Sequence, residues 1–237
     1  MKAAMELTKM QGKFLLLQIN DALFPIGGYS HSYGLETYIQ NGMVHDIKTA
    51  SDYIKKRLRY NLSYTELLAI RLAFEAAREE NLDALNELEE IMEASRVPME
   101  LREAAKKLGN RFVKTLTHMQ VPYQSEIFLN YTKEREGKIT CHPCAYGVFC
   151  VSVGISEEDA LMNYLYAQTS AMVTNCVKSI PLSQSDGQKM LLSMYSTFQE
   201  VLDIVQNARK EMFGLSAPGF DLRSIQHERL YSRIYMS

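Results

Sequence analysis

Tryptophan is missing from the chain altogether, cysteine occurs only four times, and neither charge sign is in marked excess. Each shortage narrows the possibilities. Four cysteines in 237 residues do not make a disulfide framework, which fits a reducing compartment. No long apolar run is present either. After the lysines within Met1 to Met10, the run Phe14-Leu15-Leu16-Leu17 stops at Gln18. That is too short for a signal-peptide core and far short of a membrane span. A net charge of −2 offers no general attraction to nucleic acid or to an anionic membrane. The expectation is a soluble cytoplasmic protein that binds neither.

What is present has the period of helices. Apolar residues make up 46% and charged residues 23%, an ordinary globular balance in a chain long enough to bury a large core. From Pro98 to Met119 the apolar positions Leu101, Ala104, Ala105, Leu108, Phe112, Leu116 and Met119 form one stripe. Ser156-Glu157-Glu158-Asp159 is a capping signal before Leu161, Tyr164, Leu165, Gln168 and Met172. Ser185 with Gln188 opens a segment reaching Val205, while Ser63 with Glu66, and Asn81, start two more. Convincing strands are absent: Ile127 to Tyr131 is short and lacks a partner run, and Val148 to Val153 reads equally well as buried helix. No repeat period or low-complexity linker appears. The chain is therefore expected to be all-α, a single-domain bundle of roughly eight to ten helices over residues 1–213. A looser tail, 214–237, begins where Gly, Pro and charges replace the periodic pattern.

The stretch PIGGYSHSYG, Pro25 to Gly34, is the most chemistry-like in the chain. A phosphate-binding loop needs Lys followed by Ser or Thr after its second glycine, and none follows. A nucleophile elbow needs G-x-S-x-G, whereas Gly28-Tyr29-Ser30-His31-Ser32 ends in serine. The residues instead suit a tight turn, with Gly27 and Gly28 permitting unusual angles and Ser30 capping a helix to about Gln40. Gly34 inside that helix would cost about 1 kcal/mol against alanine, a cost offset by close approach of another backbone.

Cys141-His142-Pro143-Cys144 is half of a zinc or redox motif, but Cys150 and Cys176 are single and far apart. Packing of small apolar groups, with proline starting a helix over Tyr146 to Val153, accounts for it. The five histidines include no i, i+4 pair, and His31 reads as a polar surface residue. Lys178, Gln184, Ser185 and Gln188 cluster around Pro181, where one helix ends and the next begins.

Several stretches together resemble the urease accessory protein UreF family. Leu23 to Glu36 is similar to its signature P-I-G-G-F-S-x-S-x-G-L-E, and Pro143 to Gly147 to its P-V-x-F-G segment. Tyr166 to Gln188, with Asp186-Gly187-Gln188, resembles its V-P-L-G-Q-x-D-G-Q region, and His227 to Ser237 its H-E-x-x-Y-S-R-L-F-R-S terminus. The matches occur in family order over nearly the whole chain. Cys144 departs from the usual small apolar residue, and Met236 from the usual arginine.

The resemblance implies an all-helical, dimeric, non-enzymatic chaperone with no cofactor of its own. Its implied partners are UreD (also called UreH), the GTPase UreG and urease apoprotein, with nickel and GTP handled by those partners. Partner contacts implied by the matched motifs are Pro25, Gly27, Gly28, Tyr29, Ser30, Ser32, Gly34 and Glu36. Lys178, Gln184, Asp186 and Gln188 follow, and then His227, Glu228, Tyr231, Ser232 and Arg233. Two other classes stay open: a nickel carrier using His31, His142, Cys141 or Cys144, and, more remotely, a hydrolase using Ser30 or Ser32 with His31. For the tail, Leu230 and Ile234, like Tyr231 and Tyr235, are four apart, so a helix would gather them for ordering against UreD. Docking of the tail onto its own domain is the competing expectation.

Overall fold

The computed structural model describes residues 7–237, and every regular element among them is helical. Residues 1–6 of the expected 1–213 domain lie outside the described residues. Thr8 caps α1 (Lys9–Ile19) through a reciprocal pair with Gln11. A 3-10 turn at Gly28–Ser30 then leads to α2 (Leu35–Gln40). Ser30 does not cap a helix containing Gly34, contrary to expectation. Gly34 precedes α2 with φ of 82°, a left-handed conformation that favours glycine. The expected close approach is nonetheless there: a Cβ on Gly34 would lie 2.7 Å from Ser224 Oγ and 3.0 Å from its backbone nitrogen.

Asp46 caps α3 (Ile47–Arg57), which runs through a π-helical stretch, Leu58–Leu67, into α4 (Leu68–Arg78). Ser63 therefore opens no new helix. Its hydroxyl donates to the Leu58 carbonyl at 2.7 Å, five residues back, within the widened turn. Asn81 caps α5 (Leu82–Ser95) as expected, and α6 (Met99–Met119) turns Leu108, Phe112 and Leu116 inward. Ile127 to Tyr131 is not extended but begins α7 (Ile127–Glu134). Then come α8 (His142–Ser152) and α9 (Glu157–Ser179), the latter capped by Ser156. Ser183, paired with Asp186, caps α10 (Gln184–Ser193), so Ser185 and Gln188 are not the capping pair. Met194 separates α10 from α11 (Tyr195–Asn207), dividing what reads as one periodic run. The last helix is α12 (Pro218–His227).

The core forms around α8, where every residue but Val151 is buried. A helix apolar on all sides must be enclosed by others, and α4, α6, α7 and α9 enclose it. Phe149 meets Phe112 and Phe128 edge-on, with ring centroids 6.0 and 5.4 Å apart. Two glycines allow backbones to touch. A Cβ on Gly147 would lie 2.7 Å from the Ile70 carbonyl oxygen, and one on Gly109 only 1.8 Å from that of Thr140.

Beyond α12 no regular element follows, so the expected helix gathering Leu230 with Ile234 and Tyr231 with Tyr235 does not form. Tyr235 and Ser237 are buried in irregular chain, while Tyr231 and Ile234 face solvent. No helix among the described residues is long and apolar enough to cross a membrane.

Replacing Gly109 by alanine forces two backbones apart and is expected to cost more than about 3 kcal/mol. Gly12 provides the contrast, because a Cβ there would meet no described atom within 4 Å. At that position alanine should stabilise α1 by about 0.5–1 kcal/mol. Parallel thermal melts check both; equal effects would contradict the packing.

Candidate partner-binding site

Glu36 lies in the first turn of α2, where the positive end of a helix suits a carboxylate, yet it is buried. Its Oε1 accepts a hydrogen bond from the Ile234 backbone nitrogen at 2.6 Å. Its Oε2 accepts from the Tyr235 nitrogen at 3.2 Å and faces His227 Nε2 at 3.1 Å. The other ring nitrogen, Nδ1, faces Glu100 Oε2 at 2.9 Å, and the second oxygen of Glu100 accepts from Arg233. His227 is wholly buried between these carboxylates.

A second set of contacts binds the end of the described chain. The Ser237 main-chain oxygen accepts from the nitrogens of Ser32 at 2.6 Å and Tyr33 at 3.0 Å, and from Ser32 Oγ at 2.9 Å. Tyr33 has φ of 54°, which lets successive N–H groups converge on one oxygen. Met236 donates to the Ser30 carbonyl at 2.9 Å. His31, expected at the surface, is instead buried, with Nδ1 2.8 Å from Ser237 Oγ and its carbonyl accepting from Asn175. Burial, reinforced by Lys107 and Arg111, holds its pKa below the ordinary imidazole range.

The first and last of the matched stretches thus converge. Residues 30–36 and 227–237 form one hydrogen-bonded unit, and Tyr235 lies beside Ser179 at the end of α9. Ser32, Gly34, Glu36 and His227 are buried within it, while Ser30 hydrogen-bonds to the Gly27 carbonyl and Glu228 is half-buried. Gly27 takes φ of 86° beside Arg111, with Gly28 next to it opening the 3-10 turn. Pro25, Tyr29, Tyr231, Ser232 and Arg233 remain exposed. Lys178, Gln184 and Gln188 are exposed at the α9–α10 elbow, with Asp186 held by Ser183. Glu100, Asn175, Thr37 and Gln40 complete the unit, the last two binding the Arg223 and Ser232 carbonyls. Their sequence surroundings carry no sign of these contacts.

The residues considered for metal or nucleophilic chemistry stand differently. Cys141 and Cys144 are buried, and burial raises both thiols well above their ordinary pKa, with the Glu89 carboxylate adding to it. The ring of His142 is enclosed by Phe112, Tyr146 and Tyr164. No group of three or more His, Cys, Asp or Glu placed to hold a metal occurs among the described residues.

Removing the Glu36 carboxylate would strand His227 and two backbone donors. Glu36→Ala is expected to cost about 3 kcal/mol and to expose residues 228–237 to proteolysis and hydrogen exchange. Acid should also weaken the fold. Burial, helped by nearby Arg96, lowers the His142 pKa to about 4, against about 6.5 when unfolded. The unfolded chain binds the extra proton between those values, so this contribution is complete above about pH 6.5 and is lost as pH falls toward 4. His142→Phe should remove up to roughly 3 kcal/mol of that pH dependence, read from denaturant midpoints across the range.

Comparison with known proteins supplies relatives. The sequence model of one family, described as UreF, matches residues 44–195. A protein of Bacillus sp. (strain TB-90) named urease accessory protein UreF is 35% identical over 224 residues, 94% of this chain and 97% of that one. One of the same name from Haemophilus influenzae (strain ATCC 51907 / DSM 11121 / KW20 / Rd) is 35% identical, covering 94% of each chain. A third, from Actinobacillus pleuropneumoniae serotype 5b (strain L20), is 32% identical over 94% of this chain and 97% of its own.

Proposed function

The chain belongs to the UreF family, and on that premise we propose that it is a urease accessory protein acting in urease maturation. In this reading it is a non-enzymatic scaffold, active as a homodimer in the cytoplasm. It links UreD and the GTPase UreG to urease apoprotein for GTP-dependent nickel insertion and lysine carbamylation. Nickel and GTP are handled by those partners, and the scaffold carries neither as a cofactor. Its physical content is differential binding: a preference for one nucleotide state of the GTPase couples that cycle to metal release.

The observation that carries this reading is the division of labour within the matched motifs. Buried Glu36, His227 and Ser32 hold the two stretches together. Tyr29, Tyr231 and Arg233 are exposed on those two stretches. Large aromatic and arginine side chains are the residues that most often anchor protein interfaces. A hydrolase reading finds His31 bonded to Ser237 rather than to a carboxylate.

Tyr29→Ala and Tyr231→Ala should each change stability by less than about 0.5 kcal/mol, since both side chains face solvent. The double variant is expected to lose co-purification with UreD and to lower urease activation at least about tenfold, a loss of roughly 1.4 kcal/mol in binding. Unchanged activation and complex formation would remove this surface from the function.

A further inference from the structure

One interior wall holds a buried guanidinium with no carboxylate paired to it. Where the π-helical stretch meets α5, Arg57, Glu66 and Arg96 form a common wall, with Tyr33, to two adjoining cavities of about 40 and 20 Å³. Arg96 pairs with Glu66 at 2.9 Å, and Thr65 donates to the same carboxylate. Arg57 has no such partner. It is 5% exposed, and its Nη1 donates to the Tyr33 carbonyl at 2.9 Å and the Tyr53 hydroxyl at 3.2 Å. Its guanidinium lies 4.8 Å from the Tyr33 ring centre. No described carboxylate lies within ion-pair distance of it. The Nε atoms of both arginines, and Nε2 of His142 on the smaller cavity, have no hydrogen-bond partner among the described residues.

Arg57 is thus the one guanidinium on this wall without a described carboxylate in ion-pair distance. An uncompensated buried ion is among the most unfavourable features a fold can keep. Asp221 also borders the larger cavity, part-buried like Arg96, and accepts from Ser216. An unpaired guanidinium at the wall disfavours a divalent cation beside it and favours an anion. The larger cavity has room for about three waters, enough for a ligand of three or four heavy atoms. A free Nε beside an Nη is the edge by which arginine grips a planar oxyanion with two hydrogen bonds.

We propose that the cavity between Arg57 and Arg96 is a binding site for a small, monovalent, planar oxyanion of the formate or bicarbonate class. The Leu58–Leu67 π-helical stretch carries Asn61, Thr65 and Glu66 to its wall, and the widened turn is what brings them beside Arg57.

The test is thermal melting of the full chain at constant ionic strength, titrating sodium formate, and separately bicarbonate, against sodium chloride. A saturable rise of about 2–4 °C or more in formate and bicarbonate, with none in chloride, is expected. Arg57→Met should abolish that response, and Arg57→Lys, which keeps the charge but loses the Nε edge, should weaken formate binding at least about tenfold. Because Arg57→Met risks misfolding, ¹³C-formate line broadening by the unmutated protein, reversed by bicarbonate, provides a readout that needs no variant. An equal saturable rise in chloride, the absence of any saturable response and broadening, or an unaltered response in folded Arg57→Lys would each overturn the site.

Discussion

One buried carboxylate, Glu36, ties together parts of the chain nearly two hundred residues apart. It accepts from the backbone at Ile234 and Tyr235 and faces the His227 ring, so α2, α12 and the irregular chain after it become a single body. A buried carboxylate is tolerated only when its oxygens are satisfied, and here each oxygen has a backbone donor. Glu100 extends the arrangement to α6 by holding the other face of His227 and Arg233. The close seating of Gly34 on Ser224 depends on this too, because α12 is drawn onto α2 by the same contacts. Tyr231 and Arg233 are exposed on the chain that these buried bonds hold in place.

Tight backbone contacts elsewhere have a different origin. Around α8 the helices approach because Gly109 and Gly147 present no side chain, and edge-on aromatic rings fill the remaining space. That core is close-packed and apolar. The space beside the π-helical stretch is neither: there Arg57, Arg96 and Glu66 leave cavities and unpaired nitrogens. The contrast is between a filled core and an under-filled polar interior within one helical domain.

Helices, caps and periodic faces are local properties, and most were legible. Asn81 and Ser156 cap the helices expected of them, and the stripe from Leu101 to Leu116 turns inward because spacing alone sets which side chains share a face. Where two local choices compete, the sequence is ambiguous. Ser183 and Ser185 both offer a cap with a partner three residues on, and the folded chain takes Ser183, with Gly187 seated against Val173 and Val177. Ser63 looks like a cap because a hydroxyl followed by an acidic residue has the same pattern in an N-terminus and in a π turn.

The candidate site divides along the same line. Its motifs stand in the sequence at Pro25 to Glu36, Lys178 to Gln188 and His227 to Ser237, and family membership can be read from them without coordinates. Their assembly cannot. His31 beside two serines looks like a surface residue, and the tail's paired apolar positions look like a helix, because sequence spacing reports only neighbours along the chain. Burial of His31 against Ser237, capture of the tail by Glu36 and the setting of Arg57 against the Tyr33 carbonyl all arise between residues apart in sequence. The chain by itself determined the helices and the residues available to each face. Tertiary structure alone decided which polar groups meet, because a desolvated charge or donor is satisfied only by what folding brings within hydrogen-bond distance.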